Sequence, residues 1–178
     1  MGDRVSFSQQ EQSLESIAAY YVDCEAGLYE FFAGSSRLLI SRYSAERVDD
    51  ARDRALVELD LSACSLVLSA VEAAIRVDYL TRVYNRLKDP LSREMRTLHR
   101  AKKNHARLDD DLIRLWRDAA GVNKQSCGQL VSSLNLRHWL AHGRYWKVQL
   151  GRKYDFSTVY QVAESFLDEM NAYSVAYM

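Results

Sequence analysis

Apolar positions along this chain recur at three- and four-residue intervals for most of its length, the signature of amphipathic helices. Ile17, Tyr20, Tyr21, Cys24, Leu28, Phe31 and Phe32 predict a first helix that Gly34 ends, with Ser8 and Glu11 in the form of a capping box at its start. Residues 36–60 set Leu38, Leu39, Ile40, Val48, Ala51, Ala55, Leu56 and Leu59 among charges and predict one or two more helices. The run LSACSLVLSAVEAAIRVDYLTRVYNRLKD is the longest periodic segment. Val67, Val71, Ala74, Ile75 and Tyr79 fall on one side of it, which predicts a central helix stopped by Asp89-Pro90. Pro90 can open the next helix, LSREMRTLHRAKK, which reads as basic and mostly exposed. DDDLIRLWRDAAG then carries acids at its start and Gly121 at its end, as the helix dipole and a C-terminal cap favour. SCGQLVSSLNLRHWLAHG predicts a helix over 126–143. After RYWKVQLGRKY, a last helix, DFSTVYQVAESFLDEMNAY, presents Val159, Val162, Ala163, Phe166, Leu167 and Met170 on one side.

Composition narrows the class. With 178 residues and 48% apolar side chains, the expectation is a single domain spanning 1–178 with a full core. Seven glycines and one proline favour an all-α chain over a turn-rich β architecture. Cys24, Cys64 and Cys127 are odd in number, far apart and form no CxxC pair, so they read as buried thiols in a reducing cytoplasm. MGDRVSFSQQEQ lacks an apolar signal region, and nowhere do about 18 apolar residues run together; neither secretion nor a membrane is expected.

The 24 basic and 24 acidic residues cancel, which removes any global electrostatic case for nucleic acid. Their distribution restores a local one. Residues 1–60 carry 6 basic and 12 acidic groups, 61–118 carry 12 and 8, and 119–178 carry 6 and 4. Between Asp118 and Asp155 there is no acid, while Lys124, Arg137, Arg144, Lys147, Arg152 and Lys153 all lie there. A cationic patch of that size suits a binder of a few phosphates.

At the centre of this patch stands LRHWLAHGRYW, residues 136–146. At about 100° per residue, Cys127, Leu130, Val131 and Leu134 form a stripe that continues through Arg137, His138, Ala141 and His142. Leu136 and Leu140 lie on a roughly opposite side. A guanidinium taken out of water alone costs several kcal/mol, so Arg137 must reach a carboxylate, a phosphate or solvent. Arg137 and His142 stand about 140° apart around the helix and roughly 7.5 Å apart along it. One helix focuses both on a single phosphate only awkwardly, whereas a twofold-related second copy would complete the site.

Arg137-His138-Trp139-Leu140-Ala141-His142-Gly143 resembles the R-x4-6-H motif of HEPN domains, small helical bundles found in prokaryotic toxins, defence ribonucleases and some RNA-processing enzymes. The polar residue after the arginine, the small residue before the histidine and the following glycine all match. The resemblance implies an HEPN-like helical bundle with additional helices, and a metal-independent endoribonuclease acting on single-stranded RNA from a composite site in a homodimer. On that reading His142 carries the acid/base step, Arg137 stabilises the phosphate, His138 assists or orients, and no cofactor is needed. Arg144, Lys147 and Tyr145 would hold RNA. Glu72 or Asp78 of the central helix would orient Arg137. The implied setting is bacterial toxin, defence or stress response in the cytoplasm, with an antitoxin or regulatory protein as a possible partner. In one subgroup the motif extends to H-x-Y and the tyrosine is modified; here Tyr145 lies one place too far, which counts against that modification.

The residues leave other readings open. His138 and His142 also have the i, i+4 spacing of a zinc pair, though no HExxH glutamate accompanies them. A non-catalytic helical module would use the same face for dimerisation, a partner or a nucleotide. Glu72 and Arg76 fit an ordinary i, i+4 pair, Asp109 to Asp111 fit a helix start, and His99 and His105 read as solvated. No P-loop, GxGxxG or GxSxG pattern occurs.

Overall fold

The computed structural model describes residues 4–44, 47–147 and 154–177. Among them there is no strand, and the architecture is all-α: α1 (Leu14–Ala33), α2 (Arg37–Arg42), α3 (Val48–Tyr84), α4 (Pro90–Lys102), α5 (Arg114–Ala120), α6 (Lys124–Ala141) and α7 (Phe156–Ala176). A short 3-10 turn (Lys103–His105) and a wide π-type turn (Leu108–Ile113) join α4 to α5.

Several helix boundaries differ from the sequence expectations, including the end of the central helix, at Tyr84 rather than at Asp89-Pro90. The first helix starts at Leu14, capped by Ser13 Oγ on the Ser16 amide; Ser8 instead accepts from the Gln10 amide. The central helix begins at Val48 and runs 37 residues, about 55 Å, so most of 36–60 belongs to it. No glycine or proline interrupts 48–84, and nothing local marks a boundary.

α3 is the spine. Val67, Val71 and Ile75 are fully buried with Leu112, Trp116, Leu130 and Phe166 from the elements packed around them, in one core that α1, α4, α6 and α7 share. The first part of α3 lies outside it, where Ala51 joins Phe32 and Leu39 in a smaller apolar cluster that α2 covers. Helix ends follow their local chemistry. Asp89 caps α4 through the Ser92 amide with Pro90 in the first turn, and Asp155 caps α7 through the Thr158 amide. Gly121 ends α5 at φ +75°, a backbone conformation that glycine adopts without a Cβ penalty. Asp111 belongs to the start of the π-type turn, accepting from the Arg107 amide and pairing with Lys102.

α4 is basic but not merely exposed: Leu91, Ser92 and Met95 are buried. His99 lies half-buried against the rings of Tyr79 and Tyr84, at 5.8 and 6.1 Å, whereas His105 is exposed as expected. Cys64 and Cys127 are buried free thiols and Cys24 is half-buried. Burial pushes the Cys64 thiol up to about 12, far from a reactive thiolate.

Arg82 joins four elements. The residue is 3% exposed, and its guanidinium meets Asp78 on α3, Asp89 and Ser92 at the start of α4, and Ser174 on α7, beneath the rings of Trp116 and Tyr173. Burial raises the Asp89 carboxyl, but hydrogen bonds from Ser92 and Tyr173 and the charge of Arg82 outweigh it and hold its pKa below the usual value. A depressed folded-state pKa contributes stability above the unfolded value, about 3.9, and loses it as pH falls through the folded value. Asp89→Asn is therefore expected to melt lower than wild type at pH 7, with the gap closing below about pH 3.9. Melting curves between neutral and acid pH check this; a gap independent of pH would sink it.

Candidate functional site

The C-terminal end of α6 carries the site. Its buried residues, Cys127, Leu130, Ser133 and Leu136, follow at three-residue intervals, and each such step falls about 60° short of a full turn. The buried line therefore drifts around the helix. This corrects the expectation that one stripe continues from Leu134 into the Arg/His positions: the core side rotates to Leu136, with Leu140 half-buried, and leaves Ala141, His138 and His142 exposed. Arg137 sits at the boundary, with 38% of its side chain exposed.

The helix ends in a Schellman turn. The Gly143 amide donates to Leu140 O and the Arg144 amide to Trp139 O, with Gly143 at φ +74° and Arg144 at φ +58°. Two left-handed residues in succession fold 145–147 back along α6. Trp139 Nε1 then donates to Trp146 O at 2.8 Å. The Trp146 ring lies 5.8 Å from His138 and 6.3 Å from His142, and the two imidazoles are 4.3 Å apart between centroids, edge to face. Tyr145 projects into solvent, 82% exposed, with its ring 4.6 Å from Trp146. Trp146 thus belongs to the site; its interleaving with Tyr145 and Lys147 is the only sequence signal that marks it.

Acids from α3 meet the cations of this segment. Arg137 Nη1 lies 2.7 Å from Glu72 Oε2, but off the N–H axis, so this buried oxygen takes a charge contact rather than a linear hydrogen bond. The other oxygen of Glu72 accepts from Arg76 Nε at 2.8 Å. One carboxylate therefore serves two guanidiniums, and of the two acids expected near Arg137, Glu72 is the one that α3 places beside it. Asp78 does not share that role. It lies six residues further along α3, about 240° around the helix, where it accepts from Arg82 Nε at 2.8 and 2.9 Å in the core. Burial raises its carboxyl, partly offset by Arg82.

Arg144 binds Glu58 with both terminal nitrogens, at 2.7 and 2.5 Å, and stacks near the Trp139 ring. The Arg144 hydrogen bonds hold the Glu58 carboxyl below its usual range. Arg144 is thus a staple between α3 and the turn after α6, a different task from the RNA contact expected of it. Lys147 is exposed, and Lys124 is exposed at the opposite end of α6. Arg152 and Lys153 lie outside the described residues.

Chemically, the arrangement offers two solvent-facing imidazoles, a guanidinium held by a carboxylate, and two aromatic rings suited to stacking. The described residues include no group of three or more His, Cys, Asp or Glu placed to hold a metal ion, and no described helix is long and apolar enough to cross a membrane. Compared with protein-family models, with curated proteins and with solved structures, the chain finds no match.

Proposed function

We propose that this chain is a metal-independent, HEPN-type endoribonuclease acting on single-stranded RNA as a homodimer. The observation that carries this reading is the exposed His138/His142 pair at the end of α6, beside Arg137, which pairs with Glu72. Two imidazoles left in solvent do nothing for the core, whereas RNA cleavage by internal transfer needs groups of this kind. One takes the proton from the ribose 2′-hydroxyl as its oxygen attacks phosphorus. As the P–O5′ bond breaks, a second group protonates the leaving oxygen. Arg137 neutralises charge on the phosphorane, and a twofold-related α6 would supply a second set of these groups. Tyr145 and Trp146 would stack bases beside the scissile phosphate, with Lys147 near the backbone. Such an enzyme fits a cytoplasmic toxin, defence or stress role under an antitoxin or regulatory partner.

The Glu72 and Glu58 pairs favour a second reading. Both site arginines already have carboxylate partners, as an interaction face without chemistry would also have. End-labelled single-stranded RNAs incubated with the protein in EDTA separate the two. The expected result is cleavage to 2′,3′-cyclic phosphate and 5′-hydroxyl ends, at a rate that rises more steeply than linearly with protein at low concentration. Intact RNA at every concentration of folded protein would leave the interaction module.

A further inference from the structure

Residues before α1 lie across α3 rather than in solvent. The Val5 amide donates to Tyr84 Oη at 3.0 Å, the Phe7 ring lies 6.4 Å from the Tyr84 ring, and the Arg4 guanidinium covers the same ring at 4.8 Å. Between this strap and α3 is a cavity of about 460 Å3, within the range that holds small organic ligands. Val5, Phe7, Ala73, Val77 and Leu80 make its wall predominantly apolar, and it carries one cation, Arg76, and one acid, Glu11. Val5 and Phe7 remain 40% and 36% exposed, so the strap does not bury its own apolar side chains.

Arg76 is the informative residue. Its Nε binds Glu72 and its Nη1 binds Ala106 O at 3.2 Å, and Nη2 takes part in neither contact. We infer that this cavity binds a small amphipathic monocarboxylate, its apolar body against the α3 wall and its carboxylate on Arg76. The single cation sets the charge class. A polyanion would meet Glu11 after Arg76 is satisfied, and a neutral amphiphile would leave the guanidinium without gain.

The site is wired to the one on α6. Glu72 is shared by Arg76 and Arg137. A ligand carboxylate on Arg76 Nη2 takes a share of that guanidinium's charge, which weakens its claim on Glu72, tightens the hold of Glu72 on Arg137 and so competes with phosphate for Arg137. That inhibition rests on the ribonuclease reading; the binding does not.

Calorimetric titration of the full chain with decanoate, below its micelle-forming range, tests the site. Saturable binding to one site below about 1 mM is expected, with decan-1-ol at least about tenfold weaker. Arg76→Met should weaken decanoate by at least about tenfold, and Val77→Trp, which fills the cavity and keeps the Arg76 guanidinium, should abolish binding while leaving RNA cleavage as in wild type. Decanoate should slow cleavage by wild type and not by Val77→Trp. Absence of saturable binding, equal binding by Arg76→Met, or alcohol binding as tight as decanoate overturns the proposal, whatever the protein does to RNA.

Discussion

Arg82→Ala is expected to lower the stability of the fold by about 3–5 kcal/mol, the range for removing one partner from a buried charge network. The guanidinium meets Asp78 through Nε, Asp89 and Ser92 through Nη1, and Ser174 through Nη2, with aromatic rings at 5.2 and 5.5 Å. Deleting it leaves the Asp78 and Asp89 carboxylates without their cation and opens space beneath Trp116 and Tyr173. Lysine keeps the charge but not the planar fork, so Arg82→Lys should fall between alanine and wild type. The alanine variant should recover part of its loss as pH falls toward 4, because protonation removes the stranded charges. Denaturant titrations at neutral and mildly acidic pH measure both effects. A loss under about 1 kcal/mol would show that the network does not hold the four elements together.

His142→Ala should lower RNA cleavage by about 10²- to 10⁴-fold, the usual contribution of a positioned general acid or base. Arg137→Ala should lower it by about 10²- to 10³-fold, as for loss of a donor that stabilises transition-state charge. His142 is exposed, so its replacement should leave stability within about 0.5 kcal/mol of wild type. Glu72 keeps Arg76 when Arg137 is removed, so that variant should also remain folded. Circular dichroism and single-turnover cleavage, measured together, separate lost chemistry from lost structure. Cleavage by both variants at the wild-type rate would remove these residues from the mechanism; altered assembly without cleavage by any form would assign the face to interaction.

How far the sequence could be read differs from helix to helix. The ends of α5 and α6 and the start of α7 were legible because each carries its own signal: Gly121, Gly143 and Asp155 act through local backbone geometry and need no distant partner, whereas the acids expected to open α5 lie in the π-type turn before it. The start of α3 was not, since helix ends without glycine, proline or a capping side chain leave no local trace, and Arg47 makes no side-chain cap there. Ser8 and Glu11 had the right spacing for a capping box, yet the chain around them instead lies across α3 with Val5 on Tyr84. The Arg/His cluster was visible as chemistry, but helical phase alone misplaced it, because the drift of the buried line along α6 depends on which neighbours pack there.

Read along the chain alone, the residues already establish a helical fold and an apolar run that Arg137, His138 and His142 interrupt near the end of α6. Those follow from periodicity and composition, which are properties of neighbours along the chain. What the cations meet depends instead on how the helices pack. The acid-free stretch after Asp118 looked like a bare basic patch, but α3 brings Glu72 to Arg137 and Glu58 to Arg144 across 65 and 86 residues of chain. It likewise sends Asp78 into the core with Arg82 instead of toward Arg137. Charge acts through space, so the same count of acids and bases gives an open patch or a set of held arginines according to which helices pack side by side.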